Sequence, residues 1–302
     1  MGSDGEAGSF GLGPPRQYLT PRVSPEGHRL VYGLHSGWHQ SYYVYDSLRG
    51  ARPLNTGGYY DEWPIWSPDG KFIVLTSDRD GPRNLYRLPA DGSGGPERLV
   101  PSDEVQQPSS WSSEGVIAYL QGGDIWVLPP GGDPAPFFPS PEEEMYPAFS
   151  PDGHWIAYTS EEAGSEDRGV YVRPYPGPGL PTRVSVGHVH SPVWSNGGDS
   201  IYFLEGTGDR HRMMVVDVTS LDPFRVGSPT PLIDPWPYSI MGPVRGYDIL
   251  PNGSFVAVLD QGFQVLREEA VALGVGELMW RQKVGELHVI LNFEGLRGRG
   301  GG

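Results

Sequence analysis

The sequence predicts an all-β fold: a six-bladed β-propeller of four-stranded antiparallel blades. Three observations predict it. A four-residue turn recurs six times, its first residues at 24, 67, 112, 150, 195 and 250. The resulting gaps of 43, 45, 38, 45 and 55 residues match the length of a four-stranded propeller unit. Between the turns, short apolar, β-branched and aromatic runs alternate with Gly, Pro, Asn and Asp clusters. No stretch shows a capped helical period, and residues 266–273 are the one weakly helical segment.

The turns are Ser24-Pro-Glu-Gly27, Ser67-Pro-Asp-Gly70, Ser112-Ser-Glu-Gly115, Ser150-Pro-Asp-Gly153, Ser195-Asn-Gly-Gly198 and Leu250-Pro-Asn-Gly253. Proline fixes φ early in the turn, Asp or Asn bonds its own backbone, and Gly takes positive φ without steric cost. Each turn therefore reads as a tight hairpin. A bulky residue precedes it: Val23, Trp66, Trp111, Phe149, Trp194 or Ile249. These are expected to pack between neighbouring sheets. A proline sits three positions before the Ser in four repeats (Pro21, Pro64, Pro147, Pro192), and the third repeat shifts it to Pro108. After each turn comes an apolar strand, beginning near Arg29, Phe72, Val116, Trp155, Ser200 and Phe255. A second strand follows around Tyr42, Asn84, Asp124, Gly169 and Met213, and a shorter segment closes most units. One such unit cannot cover both of its faces, whereas six arranged radially can, and the ring protects most strand edges. The final strand is expected at Glu286–Asn292, with Arg16–Thr20 as the competing candidate. The domain reading is a flexible lead over 1–15, one propeller over 16–294 and a disordered tail over 295–302.

Composition sets the limits. The chain has 302 residues and no cysteine, which excludes a disulfide framework and a thiolate metal site. Aromatic residues reach 12%, too many for a disordered segment. Lys plus Arg number 22 against 37 Asp plus Glu, a formal net charge of −15. That balance argues against sequence-blind binding to nucleic acid. No apolar run is long enough for a membrane-spanning helix, so no membrane insertion is expected. The small, polar stretch from Met1 to Pro15 lacks the pattern of a secretory signal, which makes the cytoplasm the default location. A fragment of a membrane-anchored protein would instead place the domain outside the cytoplasm.

The stretches Pro64-Ile-Trp-Ser-Pro-Asp-Gly-Lys-Phe-Ile-Val74 and Pro147-Ala-Phe-Ser-Pro-Asp-Gly-His-Trp-Ile-Ala-Tyr158 resemble the repeat of TolB-like six-bladed propellers. Val170-Tyr-Val-Arg-Pro-Tyr-Pro-Gly177 and Val289-Ile-Leu-Asn-Phe-Glu294 resemble the propeller region C-terminal to the kinase domain of bacterial eukaryotic-like Ser/Thr kinases. The resemblance covers roughly residues 16–294. It implies the fold, and a sensor or scaffold part of a signalling protein. The fifth repeat departs from it, with Asn196-Gly197 in place of Pro-Asp, and the sixth carries an insertion around residues 261–284.

Catalytic motifs are sparse. There is no Gly-x-Ser-x-Gly nucleophile elbow, no phosphate loop, no His-Glu-x-x-His and no kinase signature. His188 and His190 are the candidate metal ligands: in an extended segment, period two puts both imidazoles on one face. No third ligand is assignable, and two loop histidines with ordinary partners is the competing reading. Glu142-Glu-Glu144 reads as a solvated charge run or as part of an acidic mouth. Residues just before the inner strands are expected to line the channel mouth: Tyr60, Asp61, Glu62, Trp63, Gln106, Gln107, Met145, Tyr146, His188, His190, Arg245 and Tyr247. This aromatic, polar and acidic ring suits capture of a peptide, protein or small ligand; plugging the channel is the alternative. Trp38-His-Gln40 and Pro235-Trp-Pro-Tyr238 break the repeat and are further recognition candidates. Two functions follow. The first is a non-catalytic binding module with no cofactor. The second is a metal-assisted lyase or hydrolase on carbohydrate using the channel histidines and a divalent metal.

Overall fold

A computed structural model describes residues 7–9, 18–36, 39–54, 57–161, 167–207, 210–236, 245–260 and 285–290. These residues contain no helix and form six antiparallel sheets. The first sheet comprises Tyr18–Val23, Arg29–Ser36, His39–Asp46 and Gly50–Pro53. The second comprises Asp61–Trp66, Phe72–Ser77, Asn84–Pro89 and Glu97–Arg98. Gln106–Trp111, Ile117–Gln121, Asp124–Leu128 and Ala135–Pro136 make the third, and Glu144–Phe149, Trp155–Glu161, Arg168–Pro174 and Thr182–Gly187 the fourth. In the fifth, Val189–Trp194 and Ser200–Thr207 lead to the long strand Arg210–Leu221, which pairs with both Phe224–Val226 and Thr230–Ile233. The last sheet runs Tyr247–Ile249, Phe255–Asp260, Gly285–Ile290 and then Ala7–Ser9.

The closing strand differs from expectation. Gly285–Ile290 is third in its sheet, Ala7–Ser9 lies outside it, and Tyr18–Val23 is the innermost strand of the first sheet. Within the expected lead over 1–15, residues 7–9 are therefore a strand. Ala7, Gly8 and Ser9 carry no apolar alternation, because backbone pairing alone places an outermost strand. The weakly helical segment 266–273, the insertion over 261–284 and the tail over 295–302 lie outside the described residues.

The repeated turns fold as their residues dictate. In the second, Gly70 N–H donates to Ser67 O at 2.9 Å and has φ +67°. The buried Ser67 Oγ donates to Asp69 Oδ1 at 2.7 Å and accepts from Phe72 N–H at 2.9 Å. Ser150 and Asp152 repeat this arrangement, and Ser195 reproduces it with Asp199. The serine hydroxyl closes the hairpin from inside, which is why the fifth turn survives the loss of Pro-Asp.

Apolar contact joins each sheet to the next. Val31, Tyr42 and Val44 meet Trp66, Ile73 and Leu75 between the first two sheets. Ala157 and Val172 meet Trp194 and Phe203 between the fourth and fifth. Val256 and Val258 of the last sheet meet Tyr18, Leu30 and Tyr32 of the first. The sheets are thus arranged as a closed β-propeller. The repeat tryptophans serve these joints as expected. Trp66 Nε1–H donates to Arg22 O at 2.9 Å, and Trp194 Nε1–H to Ala148 O at 3.1 Å, each reaching the preceding sheet.

Candidate functional site

The innermost strands share an irregularity. Pairing with the second strand shifts between Leu19 and Arg22, Glu62 and Ile65, Pro108 and Ser110, Met145 and Ala148, and His190 and Val193. In four of these bulges the residue before proline has positive φ: Thr20 (39°), Trp63 (55°), Tyr146 (56°) and Ser191 (56°). Such backbone costs about 1–3 kcal/mol per residue and is kept where the fold requires it. Here the bulges sit around the axis. A narrow cavity at that point is lined by Arg22, Trp63, Gln107, Pro108, Ser109, Tyr146, Pro147, Pro192 and Arg245. Five sheets contribute strand residues to it, and Arg245 comes from the segment leading into the sixth.

A wider cleft of about 640 Å³ opens at the start of the second and third inner strands, between Tyr60, Asp78, Pro82, Arg83, Asp103 and Val105. Tyr60 and Val105 are exposed here. The Arg83 guanidinium lies 5.4 Å from the Tyr60 ring centroid, and its Nη1 donates to Glu62 Oε2 at 3.0 Å. Arg79 sits over Tyr59 at 5.2 Å and donates to both oxygens of Asp61. The rim thus offers aromatic faces, guanidinium edges and carboxylates together. Gln40 Nε2 lies 3.4 Å from the Tyr60 hydroxyl, so the repeat-breaking segment reaches this rim through Gln40, which with His39 opens a strand and not a loop. Trp38 lies outside the described residues.

The twelve expected mouth residues separate by depth. Trp63, Gln107, Tyr146 and Arg245 line the axial cavity, and Tyr60 lines the cleft. Asp61 and Gln106 are fully buried beneath the rim. Asp61 is held by Arg79. Gln106 accepts from Leu85 N–H and donates to Gln121. Glu62 is buried against Arg83, and Met145 packs on the core between the third and fourth sheets, its Sδ 2.9 Å from Arg168 Nη1. Tyr247 is fully buried, its hydroxyl donating to Ser191 O at 2.6 Å. Of the second repeat-breaking segment, Trp236 is core, 5.7 Å from the Tyr247 ring, and Tyr238 lies outside the described residues. The acidic run divides: Glu143 is exposed, whereas Glu144 begins an inner strand and is buried.

The two candidate histidines have different surroundings. His188 is exposed, with Nε2 3.8 Å from Asp167. His190 is half-buried, with Nδ1 3.1 Å from Ser191 Oγ and its ring 5.2 Å from His211 and 6.1 Å from Tyr146. Burial, with smaller contributions from His211 and Arg168, pulls His190 down to about 4, so it is neutral at pH 7. Among the described residues, no three His, Asp or Glu side chains are grouped to hold a metal ion. Burial likewise raises the carboxyls of Asp61 and Glu62, each opposed by its arginine, and pushes Tyr146 up to about 12.

Sequence reading missed Arg22. It occupies the second position before the turn, where other repeats carry Ile65, Ala148 and Val193, and where the last carries Asp248. Aligning the repeats and seeking a charge among apolar residues would have marked both Arg22 and Asp248.

No family model matches the chain. Solved structures do. A TolB protein from Agrobacterium tumefaciens is 20% identical with a TM-score of 0.59, over 72% of this chain and 82% of that one. TolB from Acinetobacter baumannii is 19% identical with a TM-score of 0.59, over 71% of this chain and 55% of the longer protein. An oligogalacturonate lyase in complex with manganese is 13% identical with a TM-score of 0.54, over 93% and 92% of the two chains. At these identities the likeness establishes a TolB-like β-propeller fold and leaves activity to the site.

Proposed function

We propose that the protein is a non-catalytic binding module that captures a peptide or protein segment at the end of the propeller where the inner strands begin. The observation that carries this reading is the open cleft at Tyr60, Arg83 and Val105, set in the rigid rim around the axial cavity. Exposed tyrosine beside guanidinium gives contact area at low entropic cost, and the sheets below hold the rim in place. By resemblance, such a module serves as the sensor or scaffold part of a bacterial signalling protein. The test is a screen of a random hexapeptide library against the full chain, followed by affinity measurement on Tyr60→Ala. Enriched peptides should bind Tyr60→Ala at least tenfold more weakly while its thermal unfolding stays within a few degrees of wild type. Affinities unchanged by Tyr60→Ala, or no enrichment, overturn the reading.

The second reading, a metal-assisted lyase or hydrolase on carbohydrate, draws on the contact between His190 and His211. It predicts stoichiometric manganese retained after dialysis and lost in His190→Ala. Its weakness is the missing third ligand among the described residues.

A further inference from the structure

The axial cavity holds an unusual balance of charge. Arg22 is 8% exposed. Its Nη1 donates to Pro21 O at 2.7 Å, while its Nε meets no hydrogen-bond partner among the described residues. Arg245 lines the same cavity, with Nε donating to Tyr247 O at 2.9 Å and Nη2 to Asp248 Oδ1 at 2.7 Å. The other oxygen of Asp248 accepts from Val23 N–H at 2.9 Å. Both oxygens of that carboxylate are therefore engaged, neither of them by Arg22. Two guanidiniums against one carboxylate leave one positive charge in excess, inside a chain whose formal net charge is −15.

Among the described residues, the remaining polar groups nearby do not supply a counter-charge. The Tyr42 hydroxyl is engaged with Thr20 Oγ1 at 3.1 Å, and Tyr247 OH donates to Ser191 O. Burial keeps both phenols protonated. Glu62 lies at the rim, paired with Arg83. Burial, helped by the neighbouring charge of Arg245 and opposed by Asp248, pulls the Arg22 guanidinium down to about 9, so at neutral pH it remains a cation. A buried cation with an idle N–H is unfavourable unless an anion meets it. Trp63, Tyr146 and the prolines wall and narrow the space, and confinement there strengthens a charge-assisted hydrogen bond. The space is slender, a cavity of about 20 Å³ that takes roughly one water. A planar carboxylate entering edge-on suits such a slot better than a tetrahedral phosphate.

We propose that the axial slot binds a single carboxylate group between Arg22 and Arg245. This rests on the binding reading above and names the chemistry of the innermost group of the ligand. The carboxylate accepts from the Arg22 guanidinium and shares the charge of Arg245, which Asp248 holds in place. Two sources present this chemistry: a small free carboxylate, or the C-terminus of a peptide whose preceding residues lie along the mouth.

The experiment titrates the full-length wild-type chain with sodium formate, acetyl-Ala-Ala-Ala as free acid and the same peptide as C-terminal amide. The readout is the Arg22 Nε–H resonance by NMR, with sodium chloride at equal ionic strength as control. A saturable shift with formate that chloride does not produce supports the site. If the free-acid peptide saturates at lower concentration than formate, the occupant is a chain terminus; if only formate saturates, it is a small free carboxylate. The amide should leave the resonance unmoved. Arg22→Lys, which keeps charge but loses Nε–H and the planar fork, should weaken formate binding at least tenfold, read on the Arg245 Nε–H resonance. A shift matched by chloride, or a peptide amide as effective as the acid, overturns the proposal. Because the readout is on wild type, the outcome does not depend on a variant folding. Library peptides that need Tyr60 yet bind equally as acid and amide would leave the mouth reading standing and remove this one.

Discussion

Glu144 shows how position alone changes a carboxyl group. It begins an inner strand and is 1% exposed. Burial pushes it up to about 7, opposed by the Ser140 hydroxyl and the Ile125 N–H and helped by the charges of Asp124 and Glu142. An unfolded glutamate titrates near 4.3. Between these two values the folded chain binds the extra proton, so this group makes stability fall as pH rises from about 4 to about 7, then level off. The loss is on the order of 2–3 kcal/mol. Glu144→Gln should abolish that slope and be more stable than wild type at pH 8, with little difference at pH 4.5. Urea unfolding of both proteins at the two pH values checks it, and parallel losses in the two would refute the assignment. Sequence could not separate Glu144 from Glu142 and Glu143, because a charge run gives no sign of where a strand begins. Arg22 escaped for a related reason: it deviates from the repeat at one position, and only comparison between repeats reveals it. Trp66 and Trp194 were legible because each repeats the same contact to the preceding sheet.

At the scale of the element, the turn is the most legible unit and its glycine the most constrained residue. Gly27 and Gly253 both have φ +81°. A side chain there takes on left-handed backbone, at about 1–2 kcal/mol. Their surroundings differ. A Cβ on Gly27 would stand 2.8 Å from Pro251 Cδ, in the turn of the last repeat, whereas a Cβ on Gly253 would meet nothing within 4 Å. Gly27→Ala should therefore cost more than Gly253→Ala, by about 1 kcal/mol or more, since the proline ring is held by its own turn. Chemical denaturation of the two variants measures the difference, and equal losses would show that the first and last turns do not press together in solution. Strands beside such turns were predicted well, since turn chemistry and β-branched runs agree. The bulges were not, although a proline was visible inside five of the six inner strands. Proline in a strand signals an interrupted ladder, but the residue before it takes positive φ only because neighbouring inner strands converge on the axis.

At the scale of the molecule, the sheets depend on being a ring. Each is covered on its faces by neighbours, and the final joint pairs the two ends of the described chain: Ala7–Ser9 against Gly285–Ile290. A second bond crosses the adjoining seam, from Val23 N–H to Asp248. Closure by strand exchange hides an edge that would otherwise expose unpaired N–H and C=O groups. Removing residues 1–9 strips three paired residues from that edge, at roughly 0.5–1.5 kcal/mol per lost hydrogen bond. The truncated chain should keep its β spectrum, unfold at lower urea by an amount equivalent to about 1–3 kcal/mol, and associate as concentration rises, because the freed edge can pair with another copy. The carboxylate slot gives a second readout of the same change. Asp248 belongs to the sheet that Ala7–Ser9 completes, Arg245 to the segment leading into it, and Arg22 to the sheet it packs against, so loosening the seam should weaken formate binding without touching any residue of the slot. Sedimentation and the formate titration, run together on the truncated chain, separate the cases. A monomer with wild-type stability would mean that the short outer strand contributes nothing to closure, and that the apolar joint of Val256 and Val258 with Tyr18 and Tyr32 holds the ring by itself.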